Sequence, residues 1–262
     1  MAGAGAARRA RERRPPPPRA LLPLRRPAHA PLRAGGDRGE LVSAEALAER
    51  ELPGLLAEAR AALGDDPGHD LQHALRVASW TLRLGEGAIP PRLALAAALL
   101  HDVVNLPKDS PERALASTRS ADVARETLPR HGFSAEEVEL VAEAIRDHSF
   151  SRGVTPKSLL GQALQDADRL EALGALGLMR CISTGARMGA RYFHPQDVWA
   201  ETRPLDDKRY SVDHFFTKLL ALPASMTTEA GRREAERRAE FLRAFLRALA
   251  SELDEPLPDG RR

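Results

Sequence analysis

With 262 residues, of which 43% are hydrophobic, the chain can bury a core of its own, but no apolar run approaches the roughly 20 residues that a membrane span needs. Its single cysteine, Cys181, excludes an internal disulfide and favours a reducing compartment, so we expect a cytoplasmic protein without a membrane partner. The net charge of +2 is unevenly distributed, because residues 1–40 carry ten Arg against three acidic residues and the remainder is therefore acidic.

Residues 1–40 form an Arg- and Pro-rich segment with scarcely any hydrophobic periodicity. Four consecutive prolines at 15–18 forbid a helix, and we predict a disordered tail with polyproline character. The segment could be a nucleic-acid-binding arm, an organelle transit peptide or an extension without function. Transit peptides are rich in Ser, which this segment lacks, and we favour the third interpretation. No nucleic-acid partner is expected elsewhere in the chain.

From residue 41 the sequence predicts one all-α domain that ends near residue 255, followed by a short C-terminal tail over 256–262. Apolar residues recur at helical spacing between the Ser, Asp, Pro and Gly residues that begin and end helices. No alternating strand pattern is present, and 185–211 is interpreted as a loop. The predicted helices are 43–64 with a kink at Pro53, 70–84, one with Pro91 in its first turn, 110–132 with a break near Ser120, 134–147, 158–183, 211–222, and 227–253 with an apolar stripe of Phe241, Leu242, Phe245, Leu246 and Leu249.

The stretch LALAAALLHDVVNLPKDS, residues 93–110, reads as a helix that is apolar on every side and is therefore buried. It carries His101 and Asp102 side by side near its end. A buried imidazole and carboxylate need a partner, because unpaired buried charge is costly. One possible partner is a metal ion, for which both groups are good ligands. The alternative is a hydrogen bond between the two residues that only joins two helices. This pair alone leaves the choice open.

The helices at 70–84 and 158–183 carry further candidates. One face of the first is apolar, and the opposite face presents His69, His73, Arg76 and Trp80. The second carries Asp166, Asp168 and Glu171. Asp166 and Asp168 lie about 200° apart around a helix, so they cannot both point into one site. We predict that Asp168 faces inward, on the side that also carries Leu164, Ala175 and Met179, although periodicity alone would allow either acid to be an ordinary surface residue.

Together these residues form the pattern H-x27-HD-x65-D, from His73 through His101 and Asp102 to Asp168. This order resembles that in which the HD-domain superfamily of metal-dependent phosphohydrolases presents its ligands. The resemblance runs from about residue 41 to 253 and is closest to the small, single-domain bacterial branch, whose members are nucleotide pyrophosphohydrolases or uncharacterised. It is carried by GHDLQH at 68–73, HALRV at 73–77, ALLHDV at 98–103, AIRDHSF at 144–150, DADRLEALGALG at 166–177, VDHFFTKLLAL at 212–222 and MTTEAGR at 226–232.

The resemblance implies a multi-helix bundle with a metal site between its central helices. Carried over position by position, the ligands would be His73, His101, Asp102 and Asp168. Two imidazoles and two carboxylates suit one divalent transition metal ion, such as Mn, Co, Ni or Fe, better than a Mg site made of oxygens. The implied activity is hydrolysis of a nucleotide phosphoanhydride bond, from a nucleoside triphosphate to a monophosphate and pyrophosphate, by metal-activated water.

The remaining candidates would handle protons and phosphate charge. We expect His69, Lys108, Asp109 and His148 to be catalytic, although His148 also fits a satisfied core histidine. The substrate-binding candidates are Arg76, Lys108, Arg169, His214 and Lys218. Many HD hydrolases have a carboxylate shortly after the HD motif, where this chain has Asn105. Because Asn cannot accept a proton, the general base stays open between Asp109, the activated water itself and a group that the sequence does not place.

Two classes of function remain after these expectations. The favoured one is an enzyme acting on a small phosphorylated molecule, with a phosphodiesterase or a 5′-nucleotidase as the alternative to the pyrophosphohydrolase. The other is a non-catalytic metal- or nucleotide-binding module. The four intact ligands and several phosphate-reading cations favour the enzyme. A homodimer is considered for its assembly.

Overall fold

The computed structural model describes residues 43–64, 66, 68–106 and 112–261. The predicted disordered tail over 1–40 and two of the catalytic candidates, Lys108 and Asp109, lie outside the described residues. Over the described ranges the chain is all-α, as predicted, and its only β pairing is an isolated bridge between Arg191 and Tyr210. The helices are α1 Ala44–Glu51, α2 Pro53–Ala62, α3 Leu71–Leu84, α4 Pro91–Leu100, α5 Ala116–Thr127, α6 Ala135–Asp147, α7 Leu159–Leu170, α8 Gly174–Arg187, α9 Ser211–Thr217 and α10 Glu229–Leu253.

Side-chain caps explain where several helices begin. Ser43 and Asp70 each accept a hydrogen bond from a backbone N–H in the first turn of α1 and α3. Ser134 and Glu137 form the predicted capping box at α6. Prolines open α2 and α4, where the missing N–H costs nothing. The predicted starts of these helices are therefore confirmed within a residue or two.

The centre of the domain is α4, in which every residue from Leu93 to Leu100 is buried. It packs against α3, α6, α7 and α2. The helix ends at Leu100, so the prediction that it continues beyond the HD pair is wrong. His101 caps the helix, and its Nδ1 donates a hydrogen bond to the carbonyl oxygen of Ala98. The HD pair consequently lies at the inner end of a buried helix.

The predicted helix over 158–183 is two helices, α7 and α8, with a break between them. Gly174 begins α8 with a φ of +69°, which side chains rarely tolerate. A Cβ at Gly177 would lie 2.2 Å from the carbonyl of Ala172, so only glycine allows the chain to turn back so tightly. Because α8 departs in a new direction, the prediction that Ala175 and Met179 share a buried side with Asp168 is wrong: both are exposed.

Three smaller expectations also change. No break occurs at Ser120, because α5 runs through it and the Ser120 hydroxyl accepts a hydrogen bond from the Val104 N–H. Phe241 is 46% exposed and does not belong to the apolar stripe of α10, whereas Leu242 and Leu246 are fully buried. The segment after α10 packs on the domain through buried Leu257. No helix in the described part of the chain is both long and apolar enough to cross a membrane.

Candidate metal centre

Two histidines from different helices meet at the centre of the domain. His73 lies in the first turn of α3 and His101 caps α4, and each is only 1% exposed. Their Nε2 atoms are 3.2 Å apart. Because Nδ1 of His101 donates to the Ala98 carbonyl, its Nε2 carries a lone pair. The pair thus directs two nitrogens at one point in the core.

The two predicted carboxylate ligands approach the same point. Asp168, near the end of α7, places Oδ1 3.5 Å from Nε2 of His73 and 4.0 Å from Nε2 of His101. Asp102 places Oδ2 3.5 Å from Nε2 of His101. The structure therefore brings all four predicted ligands together, with His101 shared between the group of His73 and Asp168 and the group of Asp102 and His148.

The electrostatics of the cluster favour ionised carboxylates and a neutral imidazole at His101, whereas the carboxylates of Asp168 and Glu171 raise the pKa of His73 despite its burial. Burial lowers the pKa of His101 to about 4. Burial alone would raise the pKa of Asp102, but the neighbouring imidazoles of His101 and His148 hold it well below its usual range. The pKa of Asp168 is likewise low despite burial, because it lies beside His73. For His101 and the two carboxylates, these are the protonation states that a cation requires of its ligands.

The donor set fits a divalent transition metal ion. Two imidazole ligands at about 2.1 Å on adjacent corners of an octahedron stand about 3 Å apart, close to the observed separation of the two Nε2 atoms. Mixed imidazole and carboxylate donors suit Mn, Fe, Co or Ni. The ligand atoms of each group lie within 4.8 Å of one another, so small movements bring them to bonding distance.

His148, at the end of α6, stands on the other side of His101. Its Nδ1 donates to the Ile145 carbonyl at 2.6 Å, and its Nε2 lies 3.7 Å from Oδ1 of Asp102. The residue is therefore both buried and directed at the cluster, which combines the two interpretations that the sequence left open. It lines the cavity described below, within reach of a bound group.

Glu171 supports the cluster from behind His73. Its Oε2 is 3.5 Å from Nδ1 of His73 and accepts a hydrogen bond from Nε of Arg76 at 2.7 Å. Carboxylates in this position orient metal-binding histidines. Arg76, predicted to bind substrate, is thus held on Glu171 and does not line the cavities at the site. Its placement supports a structural role, because its charge is already paired.

His69 precedes α3 and lies at the mouth of the cluster. Its Nδ1 is 2.9 Å from Oδ2 of Asp66, and its Nε2 is 4.0 Å from Oδ2 of Asp102. Burial lowers the pKa of His69, so the neutral ring donates from Nδ1 to Asp66 and leaves a lone pair on Nε2. Asp66 also pairs with Arg187. Asp66 was not predicted from the sequence, although an acid three residues before a candidate histidine was a usable signal.

The cluster opens into a cavity of about 360 Å³, here called the metal cavity. Besides Asp102, Asp168 and His148, it is lined by five residues with cationic or imidazole side chains: His69, Arg169, Arg180, His214 and Lys218. Three of these were predicted to bind substrate, and Arg180 was missed. The available signal was that Arg180 lies inside the apolar stretch GLMRCIS, where a charged residue is unusual.

The cations around the metal cavity are held in place. Burial lowers the pKa of Lys218, whose ammonium group lies 4.7 Å from the ring centre of Phe150. Arg169 donates to the carbonyl and hydroxyl oxygens of Ser225. Nη1 of Arg180 lies 2.8 Å from Nδ1 of His73. An anion entering the cavity would therefore meet positive charge that is already oriented.

Fold and site define a helical metal-dependent hydrolase, and comparison with known proteins agrees. A profile of the HD domain matches residues 70–173. The chain is 32% identical over 195 residues to the uncharacterized protein YpgQ of Bacillus subtilis (strain 168). The aligned region covers 72% of this chain and 86% of that protein. The chain therefore belongs to the HD-domain superfamily, in its small single-domain bacterial branch, and is a metal-dependent phosphohydrolase.

The fold is also similar to that of solved structures. The crystal structure of Bacillus subtilis YpgQ in complex with ADP superposes with a TM-score of 0.61 at 27% identity, over 80% of this chain and 96% of that one. An HD-superfamily hydrolase from Bacillus thuringiensis gives a TM-score of 0.59 at 29% identity, over 79% of this chain and 99% of that one. The fold predicted from the sequence is thereby confirmed.

Proposed function

We propose that the protein hydrolyses a nucleoside triphosphate to the monophosphate and pyrophosphate. The observation that carries this proposal is the cluster of four ligand candidates, of which Asp102 and Asp168 line a cavity whose other walls include Arg169, Arg180 and Lys218. A polyphosphate chain carries the several negative charges that such walls would neutralise. The complex of YpgQ with ADP supports a nucleotide as the ligand.

In this proposal His73, His101, Asp102 and Asp168 hold one divalent ion, with Mn, Fe, Co or Ni as candidates. When bound, such an ion lowers the pKa of water and polarises a phosphoryl oxygen. Glu171, whose Oε2 lies 3.5 Å from Nδ1 of His73, would accept a proton from that nitrogen and so present Nε2 to the ion. His148 lies close enough to Asp102 to fix its orientation as well.

The sequence left the general base open, and we assign this role to His69. Asp66 holds the proton on Nδ1, so Nε2 faces the metal cavity as an acceptor for a proton of the attacking water. Lys218 and Arg169 bind the phosphoryl groups and stabilise the negative charge that grows on the departing pyrophosphate. His214 is a further donor, held by Asp207 at 3.0 Å.

The experiment is a nucleotide panel with the full-length chain loaded in turn with Mn, Co, Ni and Mg, and with identification of the released phosphate species. Equal amounts of pyrophosphate and nucleoside monophosphate support the proposal. Inorganic phosphate released from a monophosphate would instead assign a 5′-nucleotidase, and cleavage of a cyclic or diester substrate would assign a phosphodiesterase. Binding without turnover of any nucleotide would identify a non-catalytic module.

A further inference from the structure

The metal cavity continues into a second cavity of about 270 Å³, here called the middle cavity. The two share His69, Ala172, Arg180, His214 and Lys218 as common walls. Beyond these, the middle cavity is lined by one side of α8, where Gly177, Cys181, Thr184 and Gly185 present small side chains. It carries fewer charges than the metal cavity and leaves room for a group of roughly nucleoside size next to the phosphates.

A third cavity of about 500 Å³ adjoins the middle cavity at its far end, with Met188 and Lys208 as common walls. We name it the outer basic cavity. Its side chains are dominated by positive charge and hydrogen-bond donors. It is lined by Met188, Gly189, Arg191, His194, Pro195, Lys208, Arg209 and Tyr210.

The backbone holds the two basic segments of the outer basic cavity together. Gly189, with a φ of +75°, turns the chain at the end of α8. The N–H of Arg191 then donates to the carbonyl of Arg209 at 2.9 Å, and the N–H of Ser211 donates back to the carbonyl of Arg191 at 2.9 Å. Positive charges from two separate stretches of sequence are thus kept side by side, although like charges repel.

The cations of this cavity are not held in ion pairs. Across the part of the chain that the structure describes, neither Arg191, Lys208 nor Arg209 makes an ion pair. Nearby arginines are paired: Arg187 with Asp66, and Arg203 with Asp213. The three therefore form a positive cluster without an ion pair, although Lys208 follows Asp207 in the chain and Arg209 lies 5.6 Å from the ring centre of Tyr210.

His194 adds a neutral donor. Its Nδ1 accepts hydrogen bonds from the N–H groups of Gln196 and Asp197, at 3.2 and 3.1 Å. The proton of the neutral ring therefore lies on Nε2, which can donate to an anion. Three cations and an oriented N–H, none of them opposed by a carboxylate in an ion pair, form the kind of surface that binds phosphate.

From this arrangement we propose that the outer basic cavity binds a second phosphate group of the substrate, on the side of the nucleoside opposite the scissile phosphates. The inference rests on the proposed function, since it takes the metal cavity as the site of the first phosphates. Arg180 lies in α8 and Met188 at its C-cap, eight positions further along, which corresponds to a rise of about 12 Å. A nucleotide phosphorylated both at the 5′ position and on the other side of its ribose would place anions at both ends of this path, with its nucleoside in the middle cavity.

The test compares two ligands that differ only by that phosphate: adenosine 5′-diphosphate and its 3′-phosphorylated form. Both are titrated calorimetrically into the Mn-loaded full-length chain. We expect the 3′-phosphorylated ligand to bind at least tenfold more tightly to the wild type. The triple variant Arg191→Ala, Lys208→Ala and Arg209→Ala should reduce this preference to less than twofold. All three side chains are exposed, so their loss should leave the melting temperature unchanged.

The matched control is Arg247→Ala, which removes an exposed charge from α10 and should keep the full preference. Equal affinities of the wild type for the two ligands would overturn the proposal. So would inorganic phosphate at millimolar concentration binding the outer basic cavity without weakening the 3′-phosphorylated ligand, because the phosphate site would then be independent of the substrate. A short RNA carrying a 5′-diphosphate that binds tenfold more tightly still would reassign the cavity to a polynucleotide. Absence of nucleotide turnover in the wild type would count against the proposed function alone, because the affinity ratio is measured without it.

Discussion

Asp166 and Asp168 stand two residues apart on α7, yet their surroundings differ completely. The carboxylate of Asp166 is fully buried and accepts hydrogen bonds from the backbone N–H groups of Thr227 and Thr228 at 2.9 and 2.7 Å. Both threonine hydroxyls donate to it as well. Its acceptor capacity is thus used within the protein, and it ties α7 to the start of α10.

Asp168 faces imidazole nitrogens instead. Around it, His73, His101 and Asp102 direct lone pairs and carboxylate oxygens at one another, with few N–H groups to satisfy them. The contrast teaches how to separate two kinds of buried acid. A carboxylate surrounded by donors holds the fold together, whereas converging acceptors require a cation from outside.

The largest expected effect comes from removing a ligand. His73→Ala and Asp168→Ala should each lose the metal, of which the wild type carries about one per chain, and lower turnover by roughly 10³-fold or more. His69→Ala is the matched control, because it removes a neighbouring histidine from the same cavity. It should keep the metal and mainly lower kcat. Metal analysis of the three purified variants makes the measurement.

The opposite pattern would show that the assignment is one helical turn off. If His69→Ala lost the metal and His73→Ala retained it, the ligand would lie before α3 and not within it. Full activity of the wild type after removal of all metal by a chelator would contradict the whole interpretation of this cluster.

A somewhat smaller effect is expected at the cationic wall of the metal cavity. Lys218→Met keeps much of the side-chain volume and removes the charge that would stabilise the transition state, so kcat should fall by roughly 10²–10³-fold. Metal content should not change. Lys157→Met removes an exposed lysine outside the three cavities and serves as the control. Unchanged kcat in Lys218→Met would remove this residue from the proposed mechanism.

The orientation of His73 gives a third test. Glu171→Gln should weaken metal affinity by roughly 10–100-fold, because a carboxylate behind a histidine ligand fixes its tautomer and ring orientation. The measurement is a competition titration against a chelator of known affinity. Glu143→Gln, at an exposed position of α6, is the control. An unchanged affinity would indicate that Glu171 serves only Arg76.

Much of the fold and the core of the site could be predicted from the sequence, because both depend on local signals. Capping residues such as Ser43 and Ser134 act within one turn, and the apolar run of α4 demands burial by itself. The HD pair follows that run directly, so its buried position was implied. Resemblance supplied the register that selects His73 and Asp168.

What could not be predicted depends on partners distant in sequence. The pairing of Arg76 with Glu171 joins residues 95 positions apart, and it alone shows that this arginine is not free for phosphate. The turn between α7 and α8 follows from a close approach of Gly177 to Ala172, which no periodicity reveals. Arg180 reaches the site only because of that turn.

The smallest expected effect on activity is that of Asp166→Ala, and it is the most direct test of the contrast between the two acids. The variant should retain its metal and its turnover within about threefold, since Asp166 contacts none of the ligand candidates in the described structure. Its stability should fall by about 2–4 kcal/mol, because two backbone N–H groups and two hydroxyls at the start of α10 lose a buried charged acceptor. Melting temperature and denaturant titration measure the loss.

Two further variants make the result specific. Asp122→Ala removes an exposed acid paired with Arg125 and should change the free energy of unfolding by less than about 0.5 kcal/mol. Asp166→Asn retains one acceptor oxygen but turns an NH2 group toward donors, so its loss should lie between those of the wild type and Asp166→Ala. If Asp166→Ala lost the metal while remaining folded, the satisfied acid would prove to be coupled to the site, and the number of internal donors around a carboxylate would not distinguish a structural acid from a ligand.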